Sequence, residues 1–161
     1  KNNNIKIINV PNGNYISAAE HTFSLILSIF KNINLANNLV KKGQFNESKF
    51  INHELLNKTI GIVGVGRVGS KVAKFAKAFD MEIYGNDILN LQSKYKWIKF
   101  VNFKELLIKS EIVSFHIPLD DSTKNLINET NISLLKKDSI VINCSRGGII
   151  DESILIDYLK K

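Results

Sequence analysis

The chain has 161 residues, a formal net charge of +7 and 44% hydrophobic residues, a composition typical of a folded domain and not of a disordered segment. The lysines that supply the positive charge are spread along the sequence and not massed in a block, so we expect no nucleic-acid partner. No apolar run approaches the roughly 20 residues of a membrane span, so we expect no membrane association.

The cysteine content and the start of the chain bear on location and processing. The single cysteine, Cys144, excludes an internal disulfide and fits a reducing compartment, so we expect a cytoplasmic protein. No secretory leader is evident, and the chain begins at Lys1 and not at Met. This start leaves open a processed product, a trimmed chain or a piece of something longer. We expect no metal site.

The first third of the chain predicts a strand, a long helix and an extended arm. Residues 5–10 form a β-rich run that Pro11 closes. A helix is predicted over 17–40, with Ser17 as N-cap and Glu20 as its capping-box partner. Its apolar face follows the i, i+4, i+7 spacing and comprises Ala19, Phe23, Ile26, Phe30 and Ile33. Residues 41–58 are polar and predict an arm.

The remaining residues alternate between strand and helix patterns. Strands are predicted at 59–64, 81–87, 98–101, 111–117 and 139–144. Helices are predicted along the face of Val68, Val72, Phe75 and Phe79, at 103–110, at 129–137 and from a cap at Asp151 over 151–161. Because the connections are short, this order predicts a Rossmann-type α/β fold, a doubly wound parallel sheet with helices on both faces.

The sequence GVGRVG at 64–69 fits the dinucleotide-binding pattern G-x-G-x-x-G. It follows a predicted strand and opens a predicted helix. Gly64 permits the tight turn, Gly66 lets the backbone approach a pyrophosphate, and Gly69 allows close packing of helix on strand. The N-terminus of the helix then offers unpaired N–H groups to the anion.

Asp87 ends the next predicted strand, 18 positions after Gly69. An acidic residue at about this spacing accepts hydrogen bonds from the adenosine ribose, and its charge repels a 2′-phosphate, so we expect NAD and not NADP as the cofactor. The alternative is a glycine-rich turn followed by an unrelated aspartate, and the order of strand, glycines and acid favours the cofactor site. Arg67 either covers the phosphates or is a solvated charge at the helix start.

Four segments carry a family resemblance: AAEHTFSLILS, KTIGIVGVGRVGSKVAKFAKAF, SFHIPLDDSTKNLIN and INCSRGGIIDE. In this order they resemble the D-isomer-specific 2-hydroxyacid dehydrogenases. The resemblance implies that residues 1–161 are the NAD-binding domain of a two-domain enzyme, whose substrate domain lies outside this chain. It also implies a small 2-hydroxy or 2-keto acid as substrate. The likeness is greatest to the members that oxidise 3-phosphoglycerate; alternatives are a glyoxylate/hydroxypyruvate or D-lactate type, or an NAD-sensing regulatory module.

The resemblance also implies roles for individual residues. It assigns Arg67 and Val68 to the pyrophosphate, Asp87 to the ribose, His116, Ile117 and Pro118 to the adenine side of the cleft, and Cys144, Ser145 and Arg146 to the nicotinamide end. Arg146 is the expected catalytic residue, which binds the carboxylate and carbonyl of the substrate. The proton donor of the family is a histidine paired with a glutamate, and both are expected beyond residue 161.

The resemblance further implies a homodimer formed by the long helix and the arm, with Phe45 and Phe50 in the contact. The alternative is that both rings pack on their own domain. Asn52, Asn57 and Asp80 stand where relatives commonly have glycine. Since Asn and Asp tolerate left-handed backbone geometry better than other non-glycine residues, we expect these turns to persist.

Overall fold

The computed structural model describes residues 6, 8, 10, 12–44 and 52–160. A parallel sheet forms its centre. The strands are β1 (Thr59–Val63), β2 (Glu82–Asn86), β3 (Lys99–Phe100), β4 (Ile112–Phe115) and β5 (Ile140–Asn143). Their order in the sheet is β3-β2-β1-β4-β5, and every pairing is parallel. The chain therefore winds outward from β1 in one direction and then returns to add β4 and β5 on the other side.

Helices cover both faces of this sheet, as predicted. They are α1 (Tyr15–Phe30), α2 (Ile33–Lys41), α3 (Arg67–Ala78), α4 (Phe103–Lys109) and α5 (Glu152–Leu159). One apolar cluster joins α1 and α3 to the sheet, and its fully buried members include Ile26, Ile60 and Val72. A second cluster on the opposite face includes Leu107 of α4 and Phe115 of β4. The Rossmann-type doubly wound fold is confirmed.

The apolar pattern of the core strands explains this arrangement. A strand in a parallel sheet is buried on both faces, so it reads as a continuous apolar run. β4 is buried along its whole length, and β1 is buried from Ile60 onward. At the end of the chain, Asp151 caps α5 as predicted, since its side chain accepts hydrogen bonds from the N–H groups of Ser153 and Ile154.

The prediction of one helix over 17–40 is wrong in two respects, the residue at which the helix starts and the absence of a break. The helix begins at Tyr15, and Ser17 lies inside its first turn and not at its cap. It ends at Phe30, and α2 starts at Ile33 after Asn32, which has a left-handed φ of 49°. Because of this break Ile33 is 50% exposed, whereas Ala19 and Ile26 are fully buried as predicted.

Two shorter predictions also change. The helix predicted over 129–137 is a single 3-10 turn at Ile132–Leu134. Of the strand predicted over 5–10, only Lys6, Ile8 and Val10 are described, and none of the three is in a strand. The rest of that prediction lies outside the described residues, as do Phe45 and Phe50.

Left-handed turns occur at two of the three expected positions. Asn57 has a φ of 60° and Asp80 a φ of 52°, whereas Asn52 is not among the residues with positive φ. The two turns are joined, since the N–H of Asn57 donates to the carbonyl of Asp80 over 3.0 Å. This contact ties the segment before β1 to the segment before β2.

Candidate functional site

The carboxyl ends of four strands meet at one edge of the sheet. The register pairs Val63 of β1 with Asn86 of β2 and with Phe115 of β4, and Phe115 with Asn143 of β5. The loops that follow these residues, together with the first turn of α3, contain every side chain or backbone group proposed for the site. Ligands of open α/β sheets bind at this edge, where the strand order reverses. In this chain the reversal lies between β1 and β4.

The loop after β1 depends on two glycines for its shape. Gly64 has a φ of 87°, and a Cβ atom built there would lie 2.6 Å from the carbonyl oxygen of His116. A Cβ atom at Gly69 would lie 2.0 Å from the carbonyl oxygen of Gly64. No side chain fits in either place, so helix α3 can start directly against the end of β1. The predicted roles of these two glycines in the turn and in packing agree with these distances.

Gly66 is different, because nothing in the described structure fills the space beside it. A Cβ atom there would meet no atom of the described residues within 4 Å, and its φ of −72° lies outside the left-handed region that favours glycine. No steric contact within the described residues therefore requires glycine at this position. Gly66 is also the N-cap of α3 and provides no side-chain cap. The open space and the uncapped N–H groups together fit an anionic group that approaches the backbone, as a pyrophosphate would.

Asp87 is held at the rim of this loop. Its Oδ2 accepts a hydrogen bond of 2.7 Å from the N–H of Val65, and its Oδ1 accepts one of 2.9 Å from the N–H of Leu89. The aspartate thus fixes the phosphate loop against the loop after β2, a contact that sequence reasoning missed. Each carboxylate oxygen can accept more than one hydrogen bond, so the side chain can still receive ribose hydroxyls.

His116 leads the loop after β4, and this loop lies beside the phosphate loop. Its N–H donates to the carbonyl of Val63 over 2.8 Å, and its Nε2 lies 2.9 Å from Oγ of Ser114. Burial lowers the pKa of His116 from 6.5 to about 4. The imidazole is therefore neutral at pH 7. Ile117 is half-buried, and Pro118 is exposed.

Asn143 organises the loop that carries Arg146. Its Oδ1 accepts hydrogen bonds from the backbone N–H and from Oγ of Ser145, over 3.1 and 2.8 Å. Its amide nitrogen donates to the carbonyl of Arg146 over 2.8 Å. Asn143 thereby closes a compact turn after β5, in which Gly148 has a φ of 82°. An asparagine directly after an apolar run is a turn signal that could have identified this role.

Arg146 is exposed and borders a groove of about 690 Å³. Its Nη1 donates to the carbonyl of Ser145 over 2.7 Å. The groove is also lined by Cys144 and Ser145, and by His21 and Leu25 from α1. The sequence did not indicate that α1 reaches this groove. A planar guanidinium at its wall can bind a carboxylate through two parallel hydrogen bonds.

The two ends of the edge differ in charge. Arg67 and Asp87 line a separate groove with Gly66 and several lysines, on the far side of the phosphate loop from Arg146.

Within residues 12–44 and 52–160, no three His, Cys, Asp or Glu side chains are grouped so that they could hold a metal ion. In the same part of the chain, no helix has the length and apolar character to cross a membrane.

The sequence of this chain matches a known protein family and several curated relatives. Residues 23–161 match the family described as "D-isomer specific 2-hydroxyacid dehydrogenase, NAD binding domain". The chain is 43% identical over 156 residues to D-3-phosphoglycerate dehydrogenase of Bacillus subtilis. That alignment covers 96% of this chain and 30% of the relative. The chain therefore spans less than a third of the length of this relative.

Solved structures of similar fold differ in what they bind. D-lactate dehydrogenase from Aquifex aeolicus, complexed with NAD and lactic acid, has a TM-score of 0.88 and 33% identity. That match covers 94% of this chain and 46% of the neighbour. An acyclic imino acid reductase in complex with NADPH and D-Arg has a TM-score of 0.83 and 36% identity. That match covers 91% of this chain and 47% of the reductase chain. Both substrate and cofactor thus vary among proteins with this domain.

Proposed function

We propose an activity from the premise that this chain belongs to the D-isomer-specific 2-hydroxyacid dehydrogenase family and forms its NAD-binding domain. The protein that contains this chain would oxidise 3-phosphoglycerate to 3-phosphohydroxypyruvate. This reaction would feed serine synthesis. The observation that carries the proposal is the 43% identity to a D-3-phosphoglycerate dehydrogenase over 96% of the chain.

The residues at the sheet edge support a division of roles along the site. The backbone of Gly64, Gly66 and Gly69 would receive the pyrophosphate of NAD, together with Arg67 and Val68. Asp87 would bind the adenosine ribose. When bound, the nicotinamide accepts or returns the hydride. His116, Ile117 and Pro118 would form the wall on the adenine side of the cleft.

Arg146 would hold the substrate at the other end of the site. A bidentate fork can bind the carboxylate of a 2-keto acid and polarise the carbonyl that accepts hydride. Cys144 and Ser145 would lie beside the nicotinamide ring. The family resemblance assigns proton transfer to a histidine and glutamate pair outside residues 1–161. Burial lowers the pKa of His116 to about 4, and its Nε2 already contacts Ser114, so this histidine would serve as part of the cofactor wall.

Steady-state kinetics of the full-length protein test the proposed reaction. With NADH as reductant, we expect phosphohydroxypyruvate to give the highest kcat/KM in a panel that includes hydroxypyruvate, glyoxylate and pyruvate. A preference for pyruvate would assign the protein to the D-lactate type and overturn the proposed substrate.

The isolated 161-residue chain should bind NAD weakly and turn over none of these acids, because the opposing substrate domain is missing. Turnover by the isolated chain would contradict the assigned proton donor.

We also propose that the protein is a cytoplasmic homodimer. The single free cysteine supports the compartment, since it allows no internal disulfide. The dimer is supported by two apolar side chains on one side of α1, where Leu25 is 37% and Ile29 48% exposed. Light scattering of the full-length protein should give twice the monomer mass. A monomer mass at high protein concentration would refute the dimer.

A further inference from the structure

The turn before α1 contains the only Asn-Gly pair in the chain, Asn12-Gly13. Asn12, Gly13 and the following Asn14 are all exposed, and α1 begins at Tyr15. Within residues 12–44 and 52–160, no hydrogen bond holds the side-chain amide of Asn12. Glycine has no Cβ atom to hinder an attack by its own backbone nitrogen on the preceding side chain. An exposed, unrestrained Asn-Gly pair is therefore prone to lose the asparagine amide.

The backbone nitrogen of Gly13, which would attack, is held by one hydrogen bond. Its N–H donates to the carbonyl of Val10 over 3.1 Å. In an exposed turn, water can replace a single bond of this kind, and local opening costs little free energy. Once released, the nitrogen can reach Cγ of Asn12, the residue next to it in the chain.

Deamidation of this pair needs no reagent except water. The backbone nitrogen of Gly13 gives up its proton and bonds to Cγ of Asn12, which closes a succinimide ring, and the side-chain nitrogen leaves as ammonia. Water then opens the ring at one of its two carbonyl groups. The product is an aspartate or an isoaspartate at position 12. In either case a neutral amide has become a carboxylate.

Asn12 lies in a groove beside the phosphate loop. The groove has a volume of about 550 Å³, and Asn12 lines it together with Gly66. The cations in its lining are Arg67, Lys71, Lys74 and Lys94. With the carboxylate of Asp87, also in the lining, the formal charge of the groove is +3. Conversion of Asn12 adds a second carboxylate and lowers this charge by one.

A carboxylate at position 12 opposes a bound pyrophosphate in two ways. It repels the phosphates directly, and it offers the nearby ammonium and guanidinium groups a partner that competes with the phosphates. Asn12 also precedes Asn14, the N-cap of α1, by two residues. An isoaspartate would add a methylene group to the main chain at this point and would shift the start of the helix. Both products therefore disfavour an anion in the groove.

We propose that Asn12 is a site of spontaneous deamidation, and that its conversion to a carboxylate weakens binding of the dinucleotide. The effect on binding rests on the proposed function, which places the pyrophosphate at Gly66 and Arg67. The loss of the amide depends only on the turn and can be measured without the cofactor. The domain would thus lose cofactor affinity as the protein ages.

Peptide mapping of the full-length protein by mass spectrometry follows the loss of the amide. During incubation at mildly alkaline pH, the peptide that contains Asn12 should gain about 1 Da and separate into an aspartate and an isoaspartate form. Asn14 is the internal control, because it is exposed in the same peptide but is followed by Tyr15. Its amide should persist.

The variant Gly13→Ala tests whether the missing Cβ atom makes the pair reactive. The added methyl group hinders the attack, so Asn12 should convert about tenfold more slowly. A Cβ atom at Gly13 would lie 3.4 Å from the carbonyl oxygen of Val10, an ordinary contact distance, so the variant should fold.

Titration calorimetry with NAD measures the effect on binding. Asn12→Asp in the full-length protein should weaken NAD binding about tenfold. Asn34→Asp adds the same charge at an exposed position of α2 that does not line the groove, and should change the affinity less than about twofold. Incubation should lower the NAD affinity of the unsubstituted protein as the modified peptide accumulates, whereas Gly13→Ala should keep the affinity that it had before incubation.

The possible outcomes separate this inference from the proposed function. If Asn12 converts no faster than Asn14, the modification site is overturned and the proposed function is unaffected. Equal NAD affinities of Asn12→Asp and Asn34→Asp would overturn the effect on the groove, even if the amide is lost. Failure of the unmodified full-length protein to bind NAD would overturn the proposed function together with the effect of the modification on binding.

Discussion

Replacing Gly66 by Ala should lower the NAD affinity of the full-length protein about 100-fold, or about 2.7 kcal/mol, with almost no loss of stability. The reason is that a Cβ atom at Gly66 meets no atom of the described residues within 4 Å, and the backbone φ of −72° is not left-handed. The free energy of unfolding should change by less than about 1 kcal/mol. The methyl group would instead occupy the space that a pyrophosphate needs in order to approach the backbone.

The matched substitution is Gly69→Ala, three residues later in the same motif. Its Cβ atom would lie 2.0 Å from the carbonyl oxygen of Gly64, and that oxygen is backbone and cannot turn aside. Forcing α3 away from β1 should cost about 3 kcal/mol or more in the free energy of unfolding. Here the loss of NAD binding would follow from the displaced loop and not from a direct clash.

Chemical denaturation and NAD titration of both variants distinguish these two roles. Similar destabilisation by both substitutions would show that Gly66 is needed for packing, and would remove the main structural support for a pyrophosphate at this loop. A Gly66→Ala variant with normal stability and unchanged NAD affinity would show that the cofactor lies elsewhere.

The central strands of the sheet were predictable because a strand that is buried on both faces must be apolar along its whole length. Each central strand is a run of mostly apolar residues bounded by polar ones, so β1 and β4 were expected within one or two residues of where they lie. The glycine motif and Asp87 were predictable for a related reason. A strand, a tight turn and a helix N-terminus require small residues at fixed spacing, and that requirement is local.

The features that could not be predicted depend on contacts between distant segments or on alternatives with similar energy. The break between α1 and α2 lies at Asn32, in a stretch without Gly or Pro, and asparagine is compatible with both a helix and a left-handed residue. The hydrogen bond from Val65 to Asp87 joins two loops that are 22 residues apart. The groove around Lys71 and Lys94 likewise needs α3 and the loop after β2 to be in place.

Arg146→Lys should reduce the kcat of the full-length enzyme by at least about 100-fold, with little change in NAD affinity. Lysine keeps the positive charge but cannot form two parallel hydrogen bonds to a carboxylate. The arginine side chain is exposed at the wall of its groove, so the substitution should not affect folding. The effect would therefore be confined to the substrate and to the carbonyl that accepts hydride.

Arg67→Lys is the natural control, because Arg67 and Arg146 are the only arginines in the chain. Arg67 lines the groove on the phosphate side, so its replacement should alter NAD affinity more than kcat. Stopped-flow binding of NADH and steady-state turnover of phosphohydroxypyruvate separate the two effects. Unchanged kcat in Arg146→Lys would exclude the bidentate role and require another group to bind the substrate carboxylate. Opposite responses of the two arginines would establish that each end of the sheet edge has its own function, with cofactor phosphates at one end and the substrate at the other.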